Sequence, residues 1–399
     1  MKRLLPCLLS LALISGCASG ESPATAPVTE HPADEVVVVM GPTSEPEAGF
    51  DPAFGWGAGE HVHEPLIQST LTVTNADLTI GYDLATDMAV SDDGLTWTVT
   101  IRDDVSFTDG ASLTAEDVAF TYNTVKATSS VNDFTMLSSA EAIDDTTVVF
   151  HMTKPYSIWP YTMAIVGIVP EHAYDSATYG SNPIGSGRYT LVQWNRGEQI
   201  ILEANPDYYG EAPKMKRVTI LFMEEDAAFL AVQAGQADLA YTSATYADQS
   251  PAGYGLLSCE SVDNRGINLP TEGNPVTADL AIRRAINIGI DREEMIQNVL
   301  NGYGTPAYSV CDKLPWYNAA SQVAYDPDEA IGLLEEAGWV LGDDGVRVKD
   351  GVRAQLNILY STGDSVRQAL AADLSNQLAE LGISCTVEGV GWDTAYDRA

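Results

Sequence analysis

The chain has 399 residues, of which 56 are acidic and 20 basic, for a formal charge of −36. A surface of that sign repels nucleic acid and anionic lipid head groups, and no Lys/Arg cluster offsets it, so nucleic-acid binding is excluded. The length predicts two or three subdomains with sizeable cores.

Met1-Lys2-Arg3, the apolar run LLPCLLSLALI and Ser15-Gly16-Cys17 read as an export signal, too short to be a comfortable bilayer span. The tetrad Ile14-Ser15-Gly16-Cys17 resembles the bacterial lipobox, which predicts acylation at Cys17; the alternative is an ordinary signal peptide cut after a small residue such as Ala18. Residues 17–34 are small, polar and Pro-rich without apolar periodicity, as expected of a flexible tether. The body should therefore be soluble and hang from a membrane by lipid. Beyond the signal, Cys259, Cys311 and Cys385 remain: Cys259 and Cys311 sit in loop-like sequence and are the expected disulfide, while Cys385 lies in a strand-like run as a buried apolar residue.

Residues 35–41, EVVVVMG, form a continuous β-branched run, the pattern of a strand covered on both faces. Gly/Pro-rich sequence follows to Gly59, and Glu64 precedes Pro65, so His61 and His63 fall in an extended segment where residues two apart point the same way. Between Leu71 and Arg102 polar and apolar residues alternate around the turn signal SDDG, predicting antiparallel sheet. Thr114 and Asp117 then open a helix with a variant capping box that carries Val118, Tyr122 and Val125 on one face, and residues 146–153 read as a further strand. A helix closing near Gly235 precedes another strand. Two helical stretches divided by Gly289 and Asp291 follow, then PDEAIGLLEEAGW. LNILYS, a long amphipathic helix and SCTVEGV complete a strand–helix–strand unit, which implies parallel sheet in this half.

Enzyme signatures fail in turn. HEPLI begins like H-E-x-x-H, but Ile67 occupies the second histidine position and Pro65 would break the helix that aligns the pair. G-x-S-x-G, Walker and C-x-x-C patterns are missing, and a peptide hydrolase would lack a nucleophile with a partner base.

Residues 90–123, VSDDGLTWTVTIRDDVSFTDGASLTAEDVAFTYN, resemble a characteristic block of the family-5 extracellular solute-binding proteins of ABC importers. Three more blocks match in the same order: NPIGSGRYTLVQWNRGEQIILEANPDYYGEAPKMKRVTILF, AFLAVQAGQADLA and ADLAIRRAINIGIDREEMIQNVLNGYGTPA. The resemblance implies an α/β, two-lobed periplasmic-binding-protein fold of type II with an extra antiparallel α+β subdomain inserted in lobe I. The boundaries it gives are a signal peptide over 1–16, a tether over 17–34, lobe I over 35–70 and 175–260, the insertion over 71–174 and lobe II over 261–399. It further implies family sequence beyond Ala399 that supplies pocket residues, so that lobe II looks incomplete.

The function implied is capture, without catalysis, of an extracytoplasmic ligand by a lipid-anchored monomer, for delivery to a permease and ATPase complex. A peptide leads as ligand, nickel or a nickel chelate follows as transported cargo rather than cofactor, and a sensor that signals to a membrane receptor is the alternative of another class. By the resemblance, the loop Trp56–Glu64 faces the space between the lobes, with Trp56, His61 and His63 as contact candidates. The two histidines can be polar residues at the cleft rim, part of a peptide pocket, or ligands to a metal or its chelate. Residues 263–270, DNRGINLP, resemble the family's strand that returns across the hinge, with Arg265 and Asn268 as candidates for ligand contact; Arg265 can equally form a salt bridge in the acidic hinge region. Arg188 replaces the family's proline in G-T-G-P-Y and can pair with a ligand carboxylate or with the acidic surface. Trp316 and Tyr317 are either lid aromatics or loop packing.

Overall fold

The computed structural model describes residues 32–46, 48–54, 65–129, 132–250, 253–259 and 261–398. The β-branched run forms strand β1, Glu35–Met40. Its Val39 is buried and the other residues of the strand are partly covered. The covering is less complete than the unbroken run suggests, although the strand is paired on both edges.

Residues 71–169 make a unit of their own. Strands β2 (Thr72–Thr74) and β3 (Ile80–Tyr82) pair as a short antiparallel ribbon, and β4 (Ala85–Val90) turns into β5 (Thr96–Ile101) at Ser91–Gly94. Gly94 takes φ +71° there, a conformation a side chain would strain. Helix α1 (Ala115–Thr128) lies on the sheet completed by β6 (Leu137–Asp144) and β7 (Thr147–Met152), in the order β4-β5-β7-β6. The expected capping box is present: the Thr114 amide donates to Asp117 Oδ2 at 2.9 Å. Alternation drives Trp97, Val99 and Ile101 of β5 and Val148, Phe150 and Met152 of β7 into the core, against Val118, Tyr122 and Val125 of α1. A short helix α2 (Trp159–Met163) adds Trp159, which meets the rings of Tyr122, Phe134 and Phe150 at centroid distances of 5.6, 5.9 and 5.4 Å.

The chain then returns to β1. Strands β8 (Tyr189–Asn195), β9 (Gln199–Ala204) and β10 (Arg217–Phe222) run as an antiparallel meander; helix α3 (Glu225–Gln233) and strand β11 (Leu239–Ala240) follow, then one helical turn, α4 (Ala244–Ala247). The sheet order is β11-β1-β10-β9-β8, with β1 parallel to both β10 and β11. Val39 packs with Ala228, Ala231 and Val232 of α3; Ile67, Tyr189, Ile200, Leu202 and Phe222 form a second cluster.

The last third is built from α5 (Leu280–Gly289), α6 (Arg292–Leu300), α7 (Pro327–Glu336), a small antiparallel sheet of β12 (Val340–Leu341), β13 (Arg347–Lys349) and β14 (Val352–Arg353), then β15 (Gln355–Ser361), α8 (Ser365–Glu380), β16 (Ser384–Val390) and α9 (Trp392–Arg398). Strands β15 and β16 are parallel, the strand–helix–strand unit expected. Asp279, Asp291, Asp326 and Asp364 cap α5, α6, α7 and α8, each accepting a backbone N–H from the first turn. Such caps contribute about 1 kcal/mol each, so part of the acidity is helix-stabilising. The buried Arg347 donates to the carbonyls of Leu381 and Trp339, both at 2.8 Å, where α8 and α7 end.

Two expectations are corrected. Cys259 and Cys311 are both free thiols, as is the half-buried Cys385 on β16. Loop character alone does not bring two Cβ atoms within the roughly 4 Å a disulfide requires. Residues 263–270 join no strand ladder among the described residues, and Asn268 is exposed. Strand-like spelling is not enough where no partner strand runs alongside.

Candidate functional site

In open sheets with parallel strands, ligands bind in the crevice beyond the carboxyl ends of those strands, where loops diverge and helix N-termini converge. Two such edges exist here. One is formed by the ends of β1, β10 and β11 at Met40, Phe222 and Ala240, the other by the ends of β15 and β16 at Ser361 and Val390. The structure brings them together through Glu225. Its Oε1 accepts the Ser243 backbone N–H and, at 3.4 Å, the Thr242 hydroxyl, and its Oε2 accepts the Ser365 hydroxyl at 3.5 Å. Glu225 opens α3 just after β10, and Ser365 opens α8 just after β15, so the contact spans both carboxyl edges.

Beside it, the Asn301 side-chain amide donates to the Ala244 carbonyl and the Tyr303 hydroxyl to Asp248 Oδ1, each at 2.9 Å. On another flank the half-exposed Trp316 meets Tyr161 of α2 edge to face, with centroids 5.9 Å apart. The segments that carry this junction expose apolar groups: Tyr241 is 70% exposed and Leu257 75%.

Trp56, His61 and His63 lie outside the described residues; the described residues on either side of them are held by hydrogen bonds. The buried Asp51 accepts the Ala53 amide and the Tyr174 hydroxyl, each at 2.9 Å, and Gln68 donates to the Phe50 carbonyl at 2.8 Å. Burial raises the Asp51 carboxyl above the ordinary aspartate range against both of those hydrogen bonds, and burial beside Asp51 raises the Tyr174 phenol. A cavity of about 350 Å³ is lined by Asp51, Phe54, Ser176 and Arg196.

Arg188 follows Gly185 and Gly187, whose segment crosses the chain at Leu66 and Ile67. The Gly187 and Tyr189 amides donate to the Ile67 and Leu66 carbonyls at 2.8 and 2.9 Å, and a Cβ on Gly185 would sit 2.0 Å from the Ile67 oxygen. Only glycine permits that approach. The Arg188 guanidinium lies over the Tyr208 ring, 5.4 Å from its centroid. Arg265 pairs with Asp263 two residues away. Each of these arginines thus has a local contact of its own, on different segments.

Among the described residues no group of three or more His, Cys, Asp or Glu side chains could hold a metal ion. His172 Nε2 lies 2.7 Å from Asp109 Oδ2, and His151 Nε2 lies 3.8 Å from Glu141 within the antiparallel unit. Sequence reasoning missed Glu225, Ser243, Asn301 and Tyr303. The signal for Glu225 and Ser365 was their position just after strands that prove to be parallel; that for Asn301 was the Asn-Gly pair closing α6, which marks the helix end but not the reach of the side chain.

Comparison with known proteins agrees with this architecture. A sequence model described as bacterial extracellular solute-binding proteins, family 5 (middle), matches residues 79–399. Protein XP55 of Streptomyces lividans is 34% identical over 380 residues, 90% of this chain and 68% of that protein. Among solved structures, NikZ of Campylobacter jejuni in complex with Ni(L-His) is similar with TM-score 0.78 and 26% identity, over 91% of this chain and 75% of that one. The oligopeptide-binding protein AppA of Bacillus subtilis in complex with a nonapeptide is similar with TM-score 0.70 and 26% identity, over 92% and 77%. The two-lobed type II fold expected from the sequence is the fold of these neighbours.

Proposed function

The chain belongs to the bacterial extracellular solute-binding proteins of family 5, the capture components of ABC importers, and from that premise we propose that its solute is a peptide laid along the junction between the two carboxyl edges. The observation that carries this reading is where the apolar surface lies. Of the 21 large apolar side chains exposed among the described residues, 10 fall between residues 239 and 316, the stretch that also supplies Ser243, Ala244, Asn301 and Tyr303 to the junction. The segment 263–270 adds backbone N–H and C=O groups outside any ladder among the described residues, which a peptide main chain can pair as an added strand. In this reading Arg265 and Asn268 are assigned to peptide contact, Arg188 to a carboxylate, and Trp56, His61 and His63 to the rim of the cleft.

Binding work in this design is conformational. A solute that touches both edges favours the closed form by its differential affinity for it, and the closed form is what the permease and ATPase complex accepts. The lobes are assigned to 35–70 with 175–260 and to 261–399, and the insertion to 71–174. The protein acts as a monomer outside the cytoplasm, held to the membrane by acylation at Cys17. Cys17→Ala should then release it from the membrane fraction, and continued membrane association would defeat the anchor.

A second reading is a nickel chelate, supported by the likeness to NikZ with Ni(L-His) and by the pair His61 and His63. A thermal-shift screen separates the two, because a solute selective for the native state raises the melting point. The probes are dipeptides to nonapeptides, and Ni²⁺ with and without L-histidine. A peptide-dependent shift that survives His61→Ala and His63→Ala and shrinks in Arg188→Ala supports the peptide reading. A shift seen only with nickel and lost in the histidine variants replaces it with the chelate.

A further inference from the structure

We propose that the cavity lined by Asp51, Phe54, Ser176, Ser181 and Arg196 is a second binding site, for a free amino acid, with Asp51 taking the ammonium and Arg196 the carboxylate. Its volume of about 350 Å³ stands toward the lower end of the range of small-molecule sites, with room for a single amino acid. None of the side chains that meet at the junction lines it. It therefore offers a place for a small solute apart from the proposed peptide track.

Asp51 is only 2% exposed, yet among the described residues no cation is paired with its carboxylate. Its Oδ1 accepts the Ala53 amide and its Oδ2 the Tyr174 hydroxyl. Both donors are neutral, so each oxygen keeps acceptor capacity and the charge stays uncompensated. A buried carboxylate in that state is costly, and burial raises this one in spite of its two hydrogen bonds. An ammonium in the cavity supplies the missing charge. The walls beside it are fixed by packing: the Tyr174 ring meets Phe120 and Tyr179 at centroid distances of 5.4 and 5.3 Å, and the Phe50 amide donates to the Gly180 carbonyl at 2.8 Å.

The opposite charge comes from the turn between β8 and β9. The Arg196 guanidinium lies over the Trp194 ring, 4.1 Å from its centroid. That indole is held in place, for its N–H donates to Glu45 Oε1 at 2.7 Å, the Gly197 amide donates to the same oxygen at 2.9 Å, and its ring meets Phe50 edge to face at 5.5 Å. A guanidinium presents a planar fork of donors that matches a carboxylate. Phe54, 38% exposed, offers apolar surface to a ligand side chain, and Ser176 and Ser181 add hydroxyls. A carboxylate and a guanidinium on one cavity favour a zwitterion over a simple cation or anion, since each ligand charge then meets its opposite.

The test is a calorimetric titration of the full chain with L-alanine and L-phenylalanine, in the absence of peptide and metal. N-acetyl-L-alanine, which lacks the ammonium, and L-alaninamide, which lacks the carboxylate, are the controls. The amino acids should bind, and Kd should rise about ten- to a hundredfold when either ligand charge is missing, and equally in Asp51→Asn or Arg196→Gln. Arg196→Lys, which keeps a charge, should fall between the parent and Arg196→Gln. Circular dichroism establishes that the variants are folded; Arg196 is exposed on its turn, so its variants decide the matter even if Asp51→Asn unfolds. Absence of binding at millimolar amino acid, equal affinity for the capped controls, or an unchanged Kd in Arg196→Gln would overturn the site. Peptide and nickel probes take no part in this titration, so its failure leaves the reading of the junction standing, and failure of that reading leaves this site to be decided here.

Discussion

The antiparallel unit of residues 71–169 and the junction of residues 239–316 use apolar side chains in opposite ways. In the first, the rings of Tyr122, Phe134, Phe150 and Trp159 are all buried and lie within 4.8 to 6.1 Å of one another in five pairs, four of them edge to face and the fifth tilted. In the second, Tyr241, Leu257 and Trp316 stand in solvent or against a single neighbour. Burial inside one unit stabilises that unit in every state of the protein. Exposure between units leaves free energy to be gained only when something fills the space.

The largest predicted effect tests that contrast directly. Trp159→Ala removes a fully buried ring and should cost about 3–5 kcal/mol in urea denaturation. Trp316→Ala should cost less than about 1.5 kcal/mol, the worth of one edge-to-face contact, yet weaken binding of the peptide probe. Equal losses of stability at the two tryptophans would make the junction a core and break the comparison.

A smaller effect is expected at Asp279, which ties lobe II together. Its Oδ1 caps α5, and its Oδ2 accepts Lys349 Nζ at 2.7 Å and Trp339 Nε1 at 3.0 Å. Asp279→Ala should cost about 1–3 kcal/mol, because it leaves an indole N–H and an ammonium without their acceptor. Burial works to raise this carboxyl, but the hydrogen bonds from Lys349, Ala281 and Trp339 outweigh it and hold the group below the usual range. With the folded value depressed, its contribution is present above the unfolded value of about 3.9 and is lost as pH falls through the folded value.

Asp51, buried beside Tyr174, should show the opposite slope. Burial raises its carboxyl, so its contribution is full below about 3.9 and is lost as pH rises through the raised folded value. Asp51→Asn should therefore melt at or above the parental temperature at pH 7, with the advantage shrinking toward pH 4. A variant that melts below the parent at pH 7 and matches it at pH 4 would reverse that assignment.

These contrasts also mark what could be read in the sequence. Alternation along Thr96–Ile101, the Thr114–Asp117 capping box and the β15-α8-β16 order were legible because each is a pattern within one element or between neighbours. The junction was not, because its contacts join distant residues: Asn301 and Ala244 are 57 positions apart, and Ser365 and Glu225 are 140. No periodicity within either segment encodes which element of the other lobe it meets. Residues 263–270 and the pair Cys259 and Cys311 failed for the same reason, since a strand needs a partner and a disulfide needs proximity, and local spelling supplies neither. Arg265 shows the reverse case, for its partner Asp263 is two residues away and surface pairing was one of the readings open from the start.

The smallest effect belongs to Arg398 and tests how far the comparison extends to charge on the surface. Its guanidinium makes two hydrogen bonds to Glu388, at 2.8 and 2.9 Å, and Asn357 adds a third at 2.9 Å. The hydrogen bond from Arg398 and then that from Asn357 hold the Glu388 carboxyl at about 2. The group is solvent-exposed, so water screens what the ion pair gives to folding, just as it leaves the apolar junction uncompensated until a solute excludes it. Arg398→Ala should therefore return Glu388 toward the ordinary glutamate range in an NMR titration while leaving the melting temperature at pH 7 unchanged. Because the folded value is depressed, any difference in stability between parent and variant must vanish as pH falls through about 2. A clear loss of melting temperature at pH 7 would mean that the pair fixes the last helix on β16, and that exposed contacts in this protein can stabilise the fold as buried ones do.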